Sequence, residues 1–136
     1  MNKFLWPLRV YYEDTDAGGV VYYANYLKFL ERARTEFLRA LGYEQDELIR
    51  DFNLIFAVRS ITVDYHKPAR FNDRLVASAE LEAIGKVSMV FKQTIYLETQ
   101  PEVLLVNATV KIASLDAQRF SIKPIPNELL MQIRGD

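Results

Sequence analysis

Apolar residues follow two different periods along the chain, and each period predicts its own kind of element. Between about Tyr22 and Leu41 they recur every three or four positions, which is typical of a helix with one buried face. This apolar face consists of Tyr26, Leu30, Ala33, Phe37 and Leu41. Polar residues fill the opposite side, and Gly42 can adopt the left-handed conformation that often ends a helix. The pattern predicts one long amphipathic helix.

From Leu54 onward the period changes to two, as in strands with one buried face. Three sets of alternating residues are each predicted to share a face: Ala57, Ile61, Val63 and Tyr65; Leu75, Ala77, Ala79, Leu81 and Ala83; and Leu104, Val106, Ala108, Val110 and Ile112. Further elements are predicted as a first strand over Leu8–Glu13, a short helix at 45–52, a strand from about Lys86 to Glu98, and a short irregular or helical end after Pro124.

The predicted order is therefore one strand, a long helix, a short helix and four strands. Consecutive strands joined by short turns favour antiparallel pairing, and the apolar face of the helix must be buried against the sheet. The order indicates an α+β fold. A chain of 136 residues has the length of one ordinary domain, so we expect residues 1–136 to form a single unit.

Composition narrows the classes of function. The net charge of -1 gives no reason to expect nucleic acid as a partner, and the absence of cysteine rules out disulfides, thiolate catalysis and cysteine metal sites. The start of the chain lacks a signal-peptide apolar segment, and no later window resembles a membrane span. We therefore expect a soluble cytoplasmic protein that does not span a membrane.

The stretch YYEDTDAGGVVYYANY, residues 11–26, carries the candidate chemistry. The spacing of Asp14 and Asp16 suggests a calcium loop, but Gly18 and Asn25 stand where such a loop needs an oxygen ligand and a bidentate Glu. No metal site is predicted. His66 is the single histidine, beside Lys-Pro at a strand end, where a solvated or structural role is expected.

Carboxylates and main-chain groups are what remains for polar chemistry. Asp16 lies on a turn made by two glycines, and the helix after it has no Ser, Thr or Asp at its predicted first residue. The first N–H groups of the helix are thus available to an anion or a polarised carbonyl oxygen. A carboxylate opposite such donors suits acyl transfer, because the donors stabilise the developing oxyanion while the carboxylate attacks or activates water.

At this point the sequence resembles a known family. RVYYEDTDAGGVVY, then YLKFLERARTEFLR, and later YHKPARFND, resemble the hotdog-fold acyl-CoA thioesterases of the hydroxybenzoyl-CoA thioesterase family, and most closely their Tol-Pal-associated branch. The similarity is dense over about Val10 to Leu41 and extends as strand order over nearly the whole chain.

The resemblance implies a five-stranded antiparallel sheet wrapped around one long central helix. It also implies homodimers with a continuous sheet, often paired into a homotetramer, and active sites at the dimer interface. The catalytic aspartate of the family falls on Asp16, the oxyanion-binding main-chain N–H on Tyr23, and an assisting tyrosine on Tyr12. Tyr23 stands where the Tol-Pal branch usually has histidine and matches the hydroxybenzoyl-CoA enzyme instead.

The predicted function is hydrolysis of an acyl-CoA or acyl carrier protein thioester, with Asp16 as nucleophile or general base and no cofactor, since CoA is part of the substrate. Cations near strand ends are candidates for binding the CoA phosphates: Arg59, Lys67, Arg70 and Lys86. The alternative is a non-catalytic hotdog module that binds acyl carrier protein or envelope-associated partners; a hotdog dehydratase is a third interpretation. Tyr11, Tyr22 and Tyr26 are predicted to be packing residues.

Overall fold

The computed structural model describes residues 3–135 and contains five strands and three α-helices within them. The elements are β1 (Phe4–Arg9), a 3₁₀ turn (Tyr12–Asp14), α1 (Asn25–Ala40), α2 (Gln45–Phe52), β2 (Leu54–Tyr65), β3 (Arg74–Ile84), β4 (Ser88–Leu97), β5 (Gln100–Asp116) and α3 (Asn127–Arg134). The strands form one antiparallel sheet in the order β1-β3-β4-β5-β2. This confirms the predicted α+β class and the five-stranded sheet.

Helix α1 packs on one face of the sheet and buries the side predicted from its period. Its buried residues are Tyr26, Phe29, Leu30, Ala33, Phe37 and Leu38. The helix packs against β1, β3 and β4, whereas the edge strand β2 packs on α2. No helix within residues 3–135 has the length and apolar character needed to cross a membrane.

Helix α1 begins three residues later than predicted. The N–H of Asn25 donates to the Tyr22 carbonyl at 2.8 Å, so residues 22–25 form a turn before the helix starts. The first strand lies earlier in the chain than predicted, at Phe4–Arg9 instead of Leu8–Glu13. It ends where it does because the Asp14 carboxylate accepts the N–H of Tyr11 at 2.8 Å and folds the next residues into a 3₁₀ turn.

Each of the three alternating sets contains one residue that the structure places on the opposite side of the sheet: Ala57, Ala83 and Leu104. The cause is an extra, unpaired residue in each strand: Arg59, Glu82 and Leu105. A β-bulge of this kind reverses which residues face the core beyond it. Leu105 is 1% exposed as a result, while Leu104 is 37% exposed.

The remaining boundaries agree with the sequence. Helix α2 occupies the predicted residues 45–52, β4 lies inside the predicted range, and the tail forms α3. Hydrogen bonds from Val10 to Asp73 and from Val21 to Ala69, both 2.9 Å, tie the residues before α1 to the loop between β2 and β3. The candidate stretch is thereby fixed to one end of the sheet, next to the start of α1.

Candidate active site

Asp16 lies at the tip of a tight hairpin in which Thr15 pairs with Val21. Its main-chain N–H donates to the Val20 carbonyl and its carbonyl accepts the N–H of Gly19, both at 3.0 Å. Its Oδ1 accepts the N–H of Gly18 at 2.8 Å. A Cβ at Gly18 would lie 3.2 Å from that oxygen, and Gly19 has a φ of +79°. The two glycines therefore allow a turn that holds an exposed carboxylate in one place.

Asp14 has a different set of contacts from Asp16. Its carboxylate caps the 3₁₀ turn through Tyr11, and its carbonyl accepts the N–H of Tyr22 at 3.0 Å and the Asn25 side-chain amide at 2.9 Å. Asp14 thus connects the start of the stretch to the start of α1. The hydrogen bonds of Asp14 therefore have a structural role.

The start of α1 leaves two main-chain donors without a protein acceptor. No side chain caps the helix at Ala24. The N–H groups of Asn25, Tyr26 and Leu27, which the sequence suggests are free, instead bond to the carbonyls three residues earlier. Within residues 3–135 the N–H groups of Tyr23 and Ala24 donate to no protein atom. The free donors are therefore fewer than expected and include the one predicted, at Tyr23.

Beside Tyr23 is an open cavity of about 240 Å³. Its lining consists of Val21, Tyr23, Tyr26, Tyr65, His66, Lys67 and Pro68. The Tyr65 hydroxyl donates to the Tyr23 carbonyl at 3.2 Å, and the Tyr65 ring lies 5.6 Å from that of Tyr26. The aromatic rings thus hold the residue whose N–H is unpaired.

Tyr26 is buried, as predicted, and its hydroxyl accepts the N–H of Ala69 at 2.9 Å. Removal from water raises the pKa of this phenol, because the charged form loses its hydration. The prediction that Tyr11 and Tyr22 are packing residues is wrong, since they are 62% and 46% exposed. The neighbouring Tyr23 phenol is the main cause of a raised pKa at Tyr22, and the Asp16 carboxylate adds to it.

His66 lines the same cavity, which the sequence does not indicate. The ring is exposed; its Nε2 hydrogen-bonds the Asn107 side-chain oxygen, and the Asn107 amide donates to Asp64 at 3.4 Å. The solvated position is as expected, but its place beside Tyr23 depends on the pairing of β2 with β5. The sequence gives one hint of this position, because His66 directly follows the predicted strand that reaches Tyr65.

Tyr12 does not line the Tyr23 cavity. Its side chain is 79% exposed, and its ring contacts Phe71 edge-on at 5.6 Å between ring centres. It lies on the 3₁₀ turn, and its carbonyl accepts the Thr15 hydroxyl at 2.7 Å. A role for Tyr12 in the chemistry stays a prediction.

The four candidate phosphate-binding cations are all exposed, but within one chain they lie at different places. Lys67 lines the Tyr23 cavity, and Arg70 pairs with Val20 on the Asp16 hairpin. Arg59 forms the bulge of β2, and Lys86 follows β3 at the end of the sheet away from the hairpin. Among residues 3–135 no three acidic or imidazole side chains are grouped as metal ligands would be.

Comparison with known proteins agrees with this arrangement. A family model described as the thioesterase superfamily matches residues 18–104. The chain is 41% identical over 128 residues to the acyl-CoA thioesterase YbgC of Haemophilus influenzae, covering 94% of this chain and 92% of that protein. It is 40% identical over 131 residues to the acyl-CoA thioester hydrolase YbgC of Escherichia coli, covering 96% of each.

Among solved structures, a probable thioesterase from Bartonella henselae superimposes with a TM-score of 0.86 at 31% identity, covering 92% of this chain and 100% of that one. The residues matched by the family model include Gly18 and Gly19 of the Asp16 hairpin and the start of α1. The chain therefore belongs to the thioesterase superfamily, with its hotdog fold, and is a thioesterase.

Proposed function

We propose that the chain hydrolyses acyl-CoA thioesters with Asp16 and the Tyr23 main-chain N–H as its catalytic groups. The unpaired N–H at Tyr23 is the observation that carries this proposal, because an oxyanion needs a donor that no protein atom already occupies. The acyl-CoA activity of the relatives in Haemophilus influenzae and Escherichia coli supplies the substrate class. The glycine turn after Asp16 supplies an exposed carboxylate whose charge acts on Tyr22, the residue before Tyr23.

In the proposed reaction the thioester carbonyl accepts the Tyr23 N–H, and its carbon is attacked by water or by Asp16 itself. Attack by water requires Asp16 to take a proton as the bond to oxygen forms. Attack by the carboxylate gives an acyl-enzyme anhydride that water then opens. In either route the carbon–sulfur bond breaks and CoA leaves as the thiolate, which takes a proton from protonated Asp16 in the water route and from solvent in the anhydride route. The N–H at the helix start lowers the barrier in both routes.

We propose that Lys67 and Arg70 contact the CoA phosphates, because they lie at the cavity and on the hairpin. Arg59 and Lys86 would reach a site of this kind only if a second copy of the chain brings them there. This fits a homodimer or a dimer of dimers with interfacial sites. Acyl carrier protein thioesters remain the alternative substrate, and we propose a cytoplasmic location, where both substrate classes occur.

The test is a thioester hydrolysis assay with a free-thiol readout on short, long and aromatic acyl-CoA substrates. We expect the wild type to turn over at least one of them, and Asp16→Asn to lose at least about a hundredfold in kcat, the lower end for losing an acid or base. Asp14→Asn is the matched control and should lose much less. Absence of turnover on the whole panel would favour the non-catalytic binding module, and equal losses in the two variants would mean that the wrong carboxylate was chosen.

A further inference from the structure

Tyr65 brings a hydroxyl from the sheet to the start of α1. It is the last residue of β2 and lies 42 positions after Tyr23 in the sequence, yet its hydroxyl donates to the Tyr23 carbonyl at 3.2 Å. Its ring stands edge-on to that of Tyr23 and lies 5.6 Å from that of Tyr26, whose own hydroxyl is bonded to Ala69. The two neighbouring rings limit where the Tyr65 hydroxyl lies.

This bond has no equivalent at the start of the helix. Within residues 3–135, Tyr65 is the only side chain that hydrogen-bonds the main chain of residues 22–24. The Tyr23 carbonyl otherwise accepts only a long bond of 3.4 Å, from the N–H three residues later. The N–H groups of Tyr23 and Ala24 are the two that no protein atom in the described chain accepts. The one side-chain contact is therefore made beside the two free donors.

Peptide geometry transmits this contact to the donors. A peptide group is planar and trans, so its C=O and N–H point in opposite directions. The Tyr23 carbonyl and the Ala24 N–H belong to one such group, so the bond from Tyr65 fixes the direction of that N–H. The preceding group carries the Tyr23 N–H and is fixed likewise, because the Tyr22 carbonyl accepts the Asn25 N–H at 2.8 Å. Ala24 is already helical, with φ −67° and ψ −22°, and the first N–H groups of a helix point toward the same end.

The Tyr65 hydroxyl is suited to this task. Partial removal from water raises the pKa of the phenol, with Tyr23 adding to the shift, so at neutral pH the hydroxyl keeps the proton that it donates. A hydrogen bond on a carbonyl also polarises its peptide group and strengthens the N–H as a donor. An oxyanion carries more charge than the carbonyl it forms from, so well-directed donors lower the barrier more than they tighten substrate binding.

We propose that Tyr65 is a positioning residue of the thioesterase reaction: its hydroxyl fixes the peptide group between Tyr23 and Ala24 and so directs two consecutive N–H groups at the thioester oxygen. Ala24 thereby joins Tyr23 as a main-chain donor to the oxyanion. This inference rests on the proposed function for the position of the thioester. It adds a side chain of β2, which the sequence does not indicate, to the groups on which turnover depends.

Kinetics on the acyl-CoA that the wild type turns over fastest test the positioning. We expect Tyr65→Phe to lower kcat about five- to tenfold, the size of one ordinary hydrogen bond, with KM within about twofold of the wild type. Incorporating 4-aminophenylalanine at position 65, whose amino group donates in place of the hydroxyl, should restore most of kcat. Tyr96→Phe, on β4 and outside the Tyr23 cavity, is the matched control and should keep wild-type rates. An unchanged kcat, a loss confined to KM, or a loss that the amino group does not reduce would overturn the inference.

The contact itself is tested without turnover, by the amide resonances of the full chain in NMR. We expect Tyr65→Phe to move the Ala24 amide proton upfield, because its peptide group loses polarisation, and Tyr96→Phe to leave it in place. An Ala24 resonance that Tyr65→Phe does not move would overturn the inference. Turnover that depends on Asp16 but not on Tyr65 would also overturn it and leave the proposed function standing. A wild type with the Tyr65-dependent resonance but no turnover on any acyl-CoA would refute the proposed function, and the positioning role with it.

Discussion

Tyr23 offers the site its main chain, while its ring belongs to an aromatic cluster. The ring centres of Tyr22 and Tyr23 are 4.9 Å apart, and those of Tyr23 and Tyr65 are 6.1 Å apart. The Tyr23 carbonyl is already bonded to Tyr65, whereas its N–H is free of protein acceptors within the described chain. At the scale of one residue the donor and the side chain therefore have separable roles.

We predict that Tyr23→Phe keeps turnover within a few fold, because the N–H survives the change. Tyr23→Pro deletes that donor and should lose roughly 3 to 4 kcal/mol of transition-state stabilisation, or two to three decades of kcat. Steady-state kinetics on both variants, with circular dichroism to confirm that the proline variant is folded, provide the measurement. A dead phenylalanine variant beside an active proline variant would assign the chemistry to the hydroxyl.

Tyr26 makes a contribution to stability that can be measured separately from activity. Removing its hydroxyl leaves the buried N–H of Ala69 without an acceptor. We expect Tyr26→Phe to lower the free energy of unfolding by about 1–3 kcal/mol, the penalty for such an unpaired donor. Urea unfolding of this variant and of Tyr12→Phe, whose ring is 79% exposed, gives the comparison. Equal stability of the two variants would contradict the assigned hydrogen bond.

At the scale of elements, Asp116 joins the end of β5 to the start of β2. Its carboxylate accepts the N–H groups of Arg119 and Gln118 and the Asn53 side-chain amide, all at 2.9 Å. These donors, with Arg119 the largest cause, lower the pKa of Asp116 below its ordinary range. Asn53 itself has a φ of 51°, which ends α2 and allows β2 to begin at the next residue.

Acid should therefore weaken this connection. A carboxyl whose pKa is lowered on folding stabilises the fold fully above its unfolded pKa of about 3.9, and that stabilisation is lost as the pH falls through the lower folded pKa. We expect the urea midpoint of the wild type to fall between pH 5 and pH 2 by more than that of Asp116→Asn, which is weaker at neutral pH. Parallel pH profiles of the two proteins would show that Asp116 is not linked to folding.

At the scale of the whole molecule, β2 is a long strand at the edge of the sheet. It contains 12 residues and, among residues 3–135, pairs only with β5. An edge of this length with exposed Val58 and Tyr65 invites pairing with another chain. Two of the four predicted phosphate-binding cations also lie away from the Tyr23 cavity of their own chain. Both observations favour an oligomer with sites shared between copies.

We predict a homodimer or a homotetramer in solution. Light scattering coupled to size exclusion, over a dilution series down to micromolar protein, measures the mass directly. The expected result is a mass of two or four chains that persists on dilution. A monodisperse monomer that still hydrolyses thioesters would contradict both the shared site and the β2 interface.

Local patterns in the sequence are sufficient to predict the types of the elements and to identify several residues of the candidate site. The spacing in α1 depends only on helix geometry, so the sequence alone identifies Tyr26, Leu30 and Ala33 as buried residues. Asp16 on its two glycines is likewise a local feature, since the turn and its hydrogen bonds lie within five consecutive residues. The resemblance to thioesterases adds the family, which the comparisons confirm.

Tertiary structure decides everything that depends on residues distant in sequence. The bulge at Arg59 depends on the register of β2 against β5, and a period of two carries no sign of it. His66 reaches the Tyr23 cavity through the same pairing. In the sequence Arg34 is a polar residue beside the apolar face of a helix, and only the packing of α1 on β4 leaves it half-buried with its guanidinium hydrogen-bonded to Gln93. The apolar period of one helix is local, so the sequence predicts which of its faces is buried; which polar residues lose water depends on how distant elements pack, and the sequence alone does not show this.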